Sequence, residues 1–99
     1  MNLYPIKVGP HTYEVSEGNM TRTSESGFNG TIDFNLQTIH MNEAMCYDQK
    51  IHTLWHETMH AMCQQVKLEA DEDMIDRMAI YIMMILRDND WLVKETTRE

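Results

Sequence analysis

The sequence predicts an α+β domain in which a small sheet comes first and helices follow. Two observations carry that expectation. All four glycines, both prolines and both phenylalanines precede Tyr47, and no residue of these three types follows it. Before that point apolar and polar residues alternate; after it apolar residues recur every three or four positions, the period of a helix. At 99 residues the chain has the length of one domain with one modest core. Residues 1–46 therefore read as strands and loops, 47–90 as two helices and 91–99 as a tail of the same single domain.

Taken in order, Ile6 and Val8 alternate, Gly9-Pro10 punctuates, and Tyr13 and Val15 alternate again, which predicts a short hairpin. Residues 16–30 are polar and glycine-bearing and read as a loop. Thr31-Ile32-Asp33-Phe34 and Thr38-Ile39-His40-Met41 read as two further strands, with Asn35-Leu36-Gln37 turning between them. The first helix starts near Tyr47-Asp48, with Asp48 as candidate N-cap. Ile51, Leu54, Trp55, Met59, Met62 and Val66 give it one broad apolar face. The second helix starts in the acidic run Glu69-Ala70-Asp71-Glu72-Asp73 and ends near Arg87-Asp88-Asn89, where a basic residue suits the negative end of the helix dipole. Ile75, Met78, Ala79, Ile82, Met83 and Leu86 form its apolar stripe. Only a few residues join the two helices, so they pack as antiparallel or steeply crossed neighbours. The chain holds ten methionines; those on the two helix faces read as core filling.

Charge narrows the function classes. Acidic residues outnumber basic ones 16 to 8, for a net charge of -8. That balance argues against a nucleic-acid partner, whose phosphates need clustered Lys and Arg, and against an anionic membrane surface. Residues 1–10 contain no apolar run of signal-peptide length. The longest apolar stretch, residues 78–86, is about half of what a membrane-spanning helix needs. Cys46 and Cys63 belong to no Cys-x-x-Cys pair and make no disulfide framework, so a reducing cytoplasm is the expected compartment.

One motif carries chemistry. His56-Glu57-Thr58-Met59-His60 reads H-E-x-x-H on a segment with helical periodicity. Residues i and i+4 sit one turn apart on one side of a helix, so the two imidazoles can take two corners of a zinc tetrahedron. Glu57 points about 100° away around the helix, towards the place of a water held by zinc, where it can serve as general base. A catalytic zinc also needs a third protein ligand and an open fourth position. Glu72, Asp76, Asp73, Glu69 and the remaining histidines are candidates. Glu72 stands three residues before Ile75 and seven before Ala79, on the apolar side of the second helix, where an unpaired buried carboxylate would be costly. Asp76 lies one turn further on and is the fallback. Asp71 and Asp73 read as cap and dipole residues. His52 reads as a polar edge residue, Cys63 as core packing, His40 as a possible cleft residue on the preceding strand, and His11 as an exposed turn residue.

The segment Ile51-His52-Thr53-Leu54-Trp55-His56-Glu57-Thr58-Met59-His60-Ala61-Met62 resembles the active helix of zincin metallopeptidases. It is most similar to the small phage- and mobile-element-associated proteins near the ImmA/IrrE group. Gly30-Thr31-Ile32-Asp33, the strand Thr38-Ile39-His40-Met41-Asn42 and the acid-rich second helix with its closing Leu86-Arg87-Asp88-Asn89 fall in the matching order, so the resemblance spans roughly residues 27–90. It implies a minimal zincin-like fold, a small N-terminal sheet packed on the H-E-x-x-H helix with a second helix after it. It also implies His56 and His60 as zinc ligands, Glu57 as catalytic base, Glu72 as gluzincin-like third ligand and Zn2+ as cofactor. The chain departs from the ImmA/IrrE pattern after Glu72, where Asp73 and Met74 replace a small residue and Asn. The implied activity is hydrolysis of peptide bonds in a protein target such as a repressor or other regulatory protein, with no nucleic acid or membrane involved. The alternative is a non-catalytic, zinc-stabilised interaction domain. A short chain leaves room only for an open groove, so a peptide substrate would add to an exposed sheet edge; the Thr38–Asn42 strand is the expected edge. Tyr47, Tyr81 and His40 are the candidates for stabilising an oxyanion.

Overall fold

A computed structural model describes residues 1–19 and 29–99. It has the α+β order expected: strands β1 (Ile6–Val8), β2 (His11–Gly18), β3 (Gly30–Asp33) and β4 (Thr38–Asn42), then helices α1 (Tyr47–Val66), α2 (Glu72–Asp88) and α3 (Asp90–Thr96). Among the described residues no helix is long and apolar enough to cross a membrane.

The expected hairpin is β1–β2, with Ile6 opposite Tyr13 and Val8 opposite His11. Gly9 holds φ at +58° in its two-residue loop, a conformation that glycine adopts without a Cβ penalty. His11 opens β2 and is half-buried rather than exposed in the turn. β2 runs on to Gly18 and β3 begins at Gly30, so Ser16, Glu17, Gly18 and Gly30 are strand and not loop; residues 20–28 of the expected loop lie outside the described residues. β3 and β4 form the second antiparallel pair. β3 stops at Asp33, one residue short of Phe34, because the Asp33 carboxylate accepts the backbone N–H groups of Asn35 and Leu36 at 2.9 Å and folds the chain into its turn.

The sheet order is β1-β2-β4-β3, and β2 pairs with β4 in parallel. β4 is therefore central, bonded on both sides, and is not the free edge expected of it. Among the described residues the edges are β3 and β1 instead. The inner face of the sheet carries Tyr13, Ile39 and Met41, all fully buried. Ser16 and His40 share the other face, where Ser16 Oγ lies 2.8 Å from His40 Nδ1.

α1 lies between the sheet and α2. One side presents Leu54 and Ala61 to Tyr13 and Ile39; the other presents Met59 and Cys63 to Ile75 and Ala79 of α2. The single apolar face expected from hydropathy is thus divided, and its last members are surface: Met62 is 39% and Val66 65% exposed. A helix packed on two sides buries residues that hydropathy alone would leave out, here Thr53 and Glu57. Its N-cap is Cys46, with no side-chain cap bond; Asp48 sits inside the first turn and reaches Arg87 of α2 at 3.5 Å. α1 ends where Lys67 takes the left-handed conformation and donates its N–H back to the last turn.

α2 runs antiparallel to α1, since Arg87 meets Asp48 at one end while Glu72 meets His60 at the other. Asp71 is its N-cap, accepting the Met74 N–H at 2.9 Å. That cap fixes the register in which Glu72 begins the helix. Asp71→Ala should lower stability by about 1 kcal/mol, read as a shift in the urea midpoint. Residues 91–99, expected as a tail, are mostly α3: Asn89 breaks α2, its Nδ2 donates to the Ile85 carbonyl, and the chain turns into a new helix with Asp90 in its first turn.

Candidate metal centre

Helical spacing puts His52, His56 and His60 on one flank of α1, one turn apart. All three side chains are about one-fifth exposed. Facing them are Glu72 and Asp76, one turn apart on α2. The Glu72 carboxylate spans the motif, with Oε2 3.0 Å from His56 Nε2 and Oε1 2.8 Å from His60 Nε2. Two imidazole nitrogens of α1 thus face the two carboxylate oxygens of Glu72 on α2.

Whether these residues fit a zinc ion is a question of donor chemistry and span. Zinc bonds to imidazole nitrogen and carboxylate oxygen are about 2.0–2.2 Å, so tetrahedral neighbours stand about 3.4 Å apart. The carboxylate–imidazole separations here are a few tenths of an ångström shorter, within reach of small side-chain adjustments. Two imidazoles and a carboxylate are donor types that a zinc ion accepts. The nearest donor atoms of His56, Glu57 and His60 also lie within 4.8 Å of one another, so Glu57 stands beside the same point.

The expectation for Glu72 needs one correction. It is not a buried carboxylate seeking compensation, because its side chain is 73% exposed. As the first residue of α2 it stands at the mouth of the cleft and reaches in. Asp76, the fallback ligand, contacts the far nitrogen of His56. Its Oδ1 accepts from His56 Nδ1 at 3.1 Å, which turns the opposite nitrogen, Nε2, towards Glu72. The same oxygen lies 2.9 Å from His52 Nε2, off the line of a good hydrogen bond. Carboxylates that hold the far nitrogen of a ligating histidine fix its tautomer and orientation. The pattern was present in the sequence as Glu72 and Asp76 at i,i+4, the same spacing as the histidines opposite. For a site read as a zinc centre, Asp76→Ala should weaken zinc binding about 10–100-fold, measured by competition with a chromophoric chelator.

Glu57 is 5% exposed, on the side of α1 that meets the sheet. Burial pushes its carboxyl up to about 7; the neighbouring His56 opposes that shift and Glu72 adds to it. Edge strand β3 lies directly against it. A Cβ on Gly30 would stand 2.7 Å from Thr53 Cγ2, 3.2 Å from the His40 carbonyl and 3.3 Å from Glu57 Oε2. Only glycine lets the strand pass this close to α1, so Gly30 is a residue of the site that motif reading missed.

A cleft of about 710 Å³ opens between β3 and the paired helices, lined by Gly30, Thr31, Ile32 and Phe34 on one side and the histidine–carboxylate group on the other. His52 and Asp73 line it and Glu69 does not. His40 belongs to the opposite face of the sheet, so it is not a cleft residue. Tyr47 and Tyr81 are each 62% exposed and also lie off the cleft. None of the three oxyanion candidates therefore reaches the site. Cys63 is core, packed with Met59, Ile75 and Ala79. Comparison with protein-family models, curated proteins and solved structures gives no match.

Proposed function

We propose that this protein is a zinc-dependent peptidase of zincin-like type, in which His56, His60 and Glu72 hold the ion and Glu57 is the general base. The observation that carries this reading is the Glu72 carboxylate, delivered by a second helix onto both Nε2 atoms of an H-E-x-x-H pair. A purely structural histidine pair has no need of a carboxylate bridging both rings beside a buried glutamate. When bound, zinc supplies a Lewis acid that polarises the scissile carbonyl and acidifies water in its open position.

The chain's own residues do the rest. Asp76 holds His56 by Nδ1 and so commits Nε2 to the ion. Glu57, with its pKa near 7, takes a proton from the attacking water and gives it to the leaving amine, which suits a group poised near neutrality. β3 borders the cleft, and among the described residues no strand pairs with its outer edge. An extended peptide adding to that edge would run past Glu57 and take main-chain hydrogen bonds from residues 30–33. The substrate class is therefore a peptide or protein segment that can become extended, such as a loop of a regulatory protein. A cytoplasmic location is part of the same reading, from two free cysteines, Cys46 and Cys63.

A second reading rests on Glu57 itself. Its carboxylate is close enough to the histidines to serve as a fourth ligand, which would close the site and leave a zinc-stabilised interaction domain. Untagged protein titrated with zinc should take up one equivalent and hydrolyse members of a random peptide pool, with hydrolysis lost on chelation and restored by zinc. One tight equivalent without any cleavage would favour the closed site, and no zinc uptake would end both readings.

A further inference from the structure

We propose that the outward face of α2 is a self-association surface, on which two copies of this chain pack α2 against α2, antiparallel, about a two-fold axis. α2 is apolar on both sides. Its inward side is the core stripe: Ile75 and Ala79 are fully buried against α1. Its outward side carries Met74, Tyr81, Met84 and Ile85, which are 48%, 62%, 48% and 49% exposed, and Ile80 at 39%. α1 covers only the inward side, and the outward residues keep their apolar surface exposed. Contiguous apolar exposure of this kind on a small domain marks an interaction surface.

The pattern of charge on that face identifies the occupant. Arg77 and Asp88 lie three helical turns apart and bracket the apolar stripe. Both are exposed, and neither makes an ion pair among the described residues. An antiparallel copy whose axis passes between Ile82 and Met83 sets Arg77 of each copy against Asp88 of the other. The same register brings Tyr81 and Met84 of the two copies together at the centre of the seam, with Ile80 and Ile85 on its two flanks. Each of these pairs is generated twice by the symmetry, as an isologous interface requires. The face thus carries its own complement, apolar to apolar and cation to anion. A membrane-surface helix would instead carry clustered Lys and Arg, and this face sets Arg77 between the carboxylates of Asp73 and Asp88. The cleft stays open in such a dimer, because Glu72 and Asp76 point to α1 on the other side of α2.

Sedimentation equilibrium of the full chain, from micromolar to millimolar concentration, tests the proposal. The expected result is a mass rising from one copy to two. Met84→Glu should remove the dimer throughout that range, because it buries an unpaired charge. Arg77→Asp and Asp88→Arg should each weaken it about tenfold by setting like charges together. The double variant, with the pair exchanged, should return to within about threefold of wild type. Circular dichroism and zinc uptake, which none of these residues touches, show that each variant is folded. A wild type that stays monomeric, a dimer indifferent to Met84→Glu, or a double variant as weak as the single ones would overturn the proposal.

Discussion

Glu57→Gln is expected to keep one equivalent of zinc and to lower peptide hydrolysis by about 10²–10⁴-fold, the range supplied by a positioned general base. The amide is nearly isosteric and preserves packing beneath β3, where Gly30 leaves space for the side chain and no more. It cannot accept a proton from water. The loss should fall on kcat, with KM for a test peptide little changed, because Glu57 acts on the reacting water and the β3 edge holds the peptide. The measurement pairs metal content by mass spectrometry of the native protein with initial rates on one cleaved peptide. Undiminished cleavage would remove Glu57 from the chemistry. A variant that loses its zinc would make Glu57 a ligand, and with it the closed, non-catalytic site.

That experiment separates two roles for one residue, and the sequence was already informative about which residues to test. His56, Glu57 and His60 follow from spacing on a segment that is helical by its period, and helical spacing is local. Glu72 was reached by its place on the second helix, although for a reason that fails: it is an exposed residue at the start of α2, not a buried one. Glu72 still meets His56 and His60, because only a few residues join α1 to α2. What the sequence could not express is pairing between distant segments. β4 looks like any alternating strand, and only the parallel pairing of β2 with β4 makes it central and makes β3 the edge. The division of α1 into two buried faces likewise depends on what lies on each side. Thr53 and Glu57 are buried because a strand crosses them, a fact hydropathy reads with the wrong sign. Asp76 was visible as an acid of uncertain duty, and its duty is set by His56 Nδ1, twenty residues earlier. Most of the corrections therefore concern tertiary context, while most of the local elements needed adjustment only at their ends.

The same buried carboxylate gives an expected stability effect that needs no substrate. In the metal-free protein Glu57 has a pKa of about 7, raised from 4.5 mainly by burial. The folded state therefore holds this proton more tightly than the unfolded state does. Between those two values the native chain binds more protons, so stability falls as pH rises. The contribution is intact below about 4.5, is lost progressively up to about 7, and changes no further above it. Full ionisation corresponds to a penalty on the order of 3 kcal/mol, a large share of the stability of a domain this size. Glu57→Gln removes the titration. Metal-free Glu57→Gln should thus match wild type near pH 4.5 and exceed it by roughly 3 kcal/mol at pH 8, read from urea unfolding of both proteins in parallel so that all other titrations cancel. Zinc at His56 and His60 places a cation beside the carboxylate and favours its charged form, so the advantage of the amide at pH 8 should shrink when both proteins are saturated with the ion. An amide that brings no gain at pH 8 in the metal-free chain would mean that Glu57 is hydrated in solution and that its burial beneath β3 does not tune it as a base.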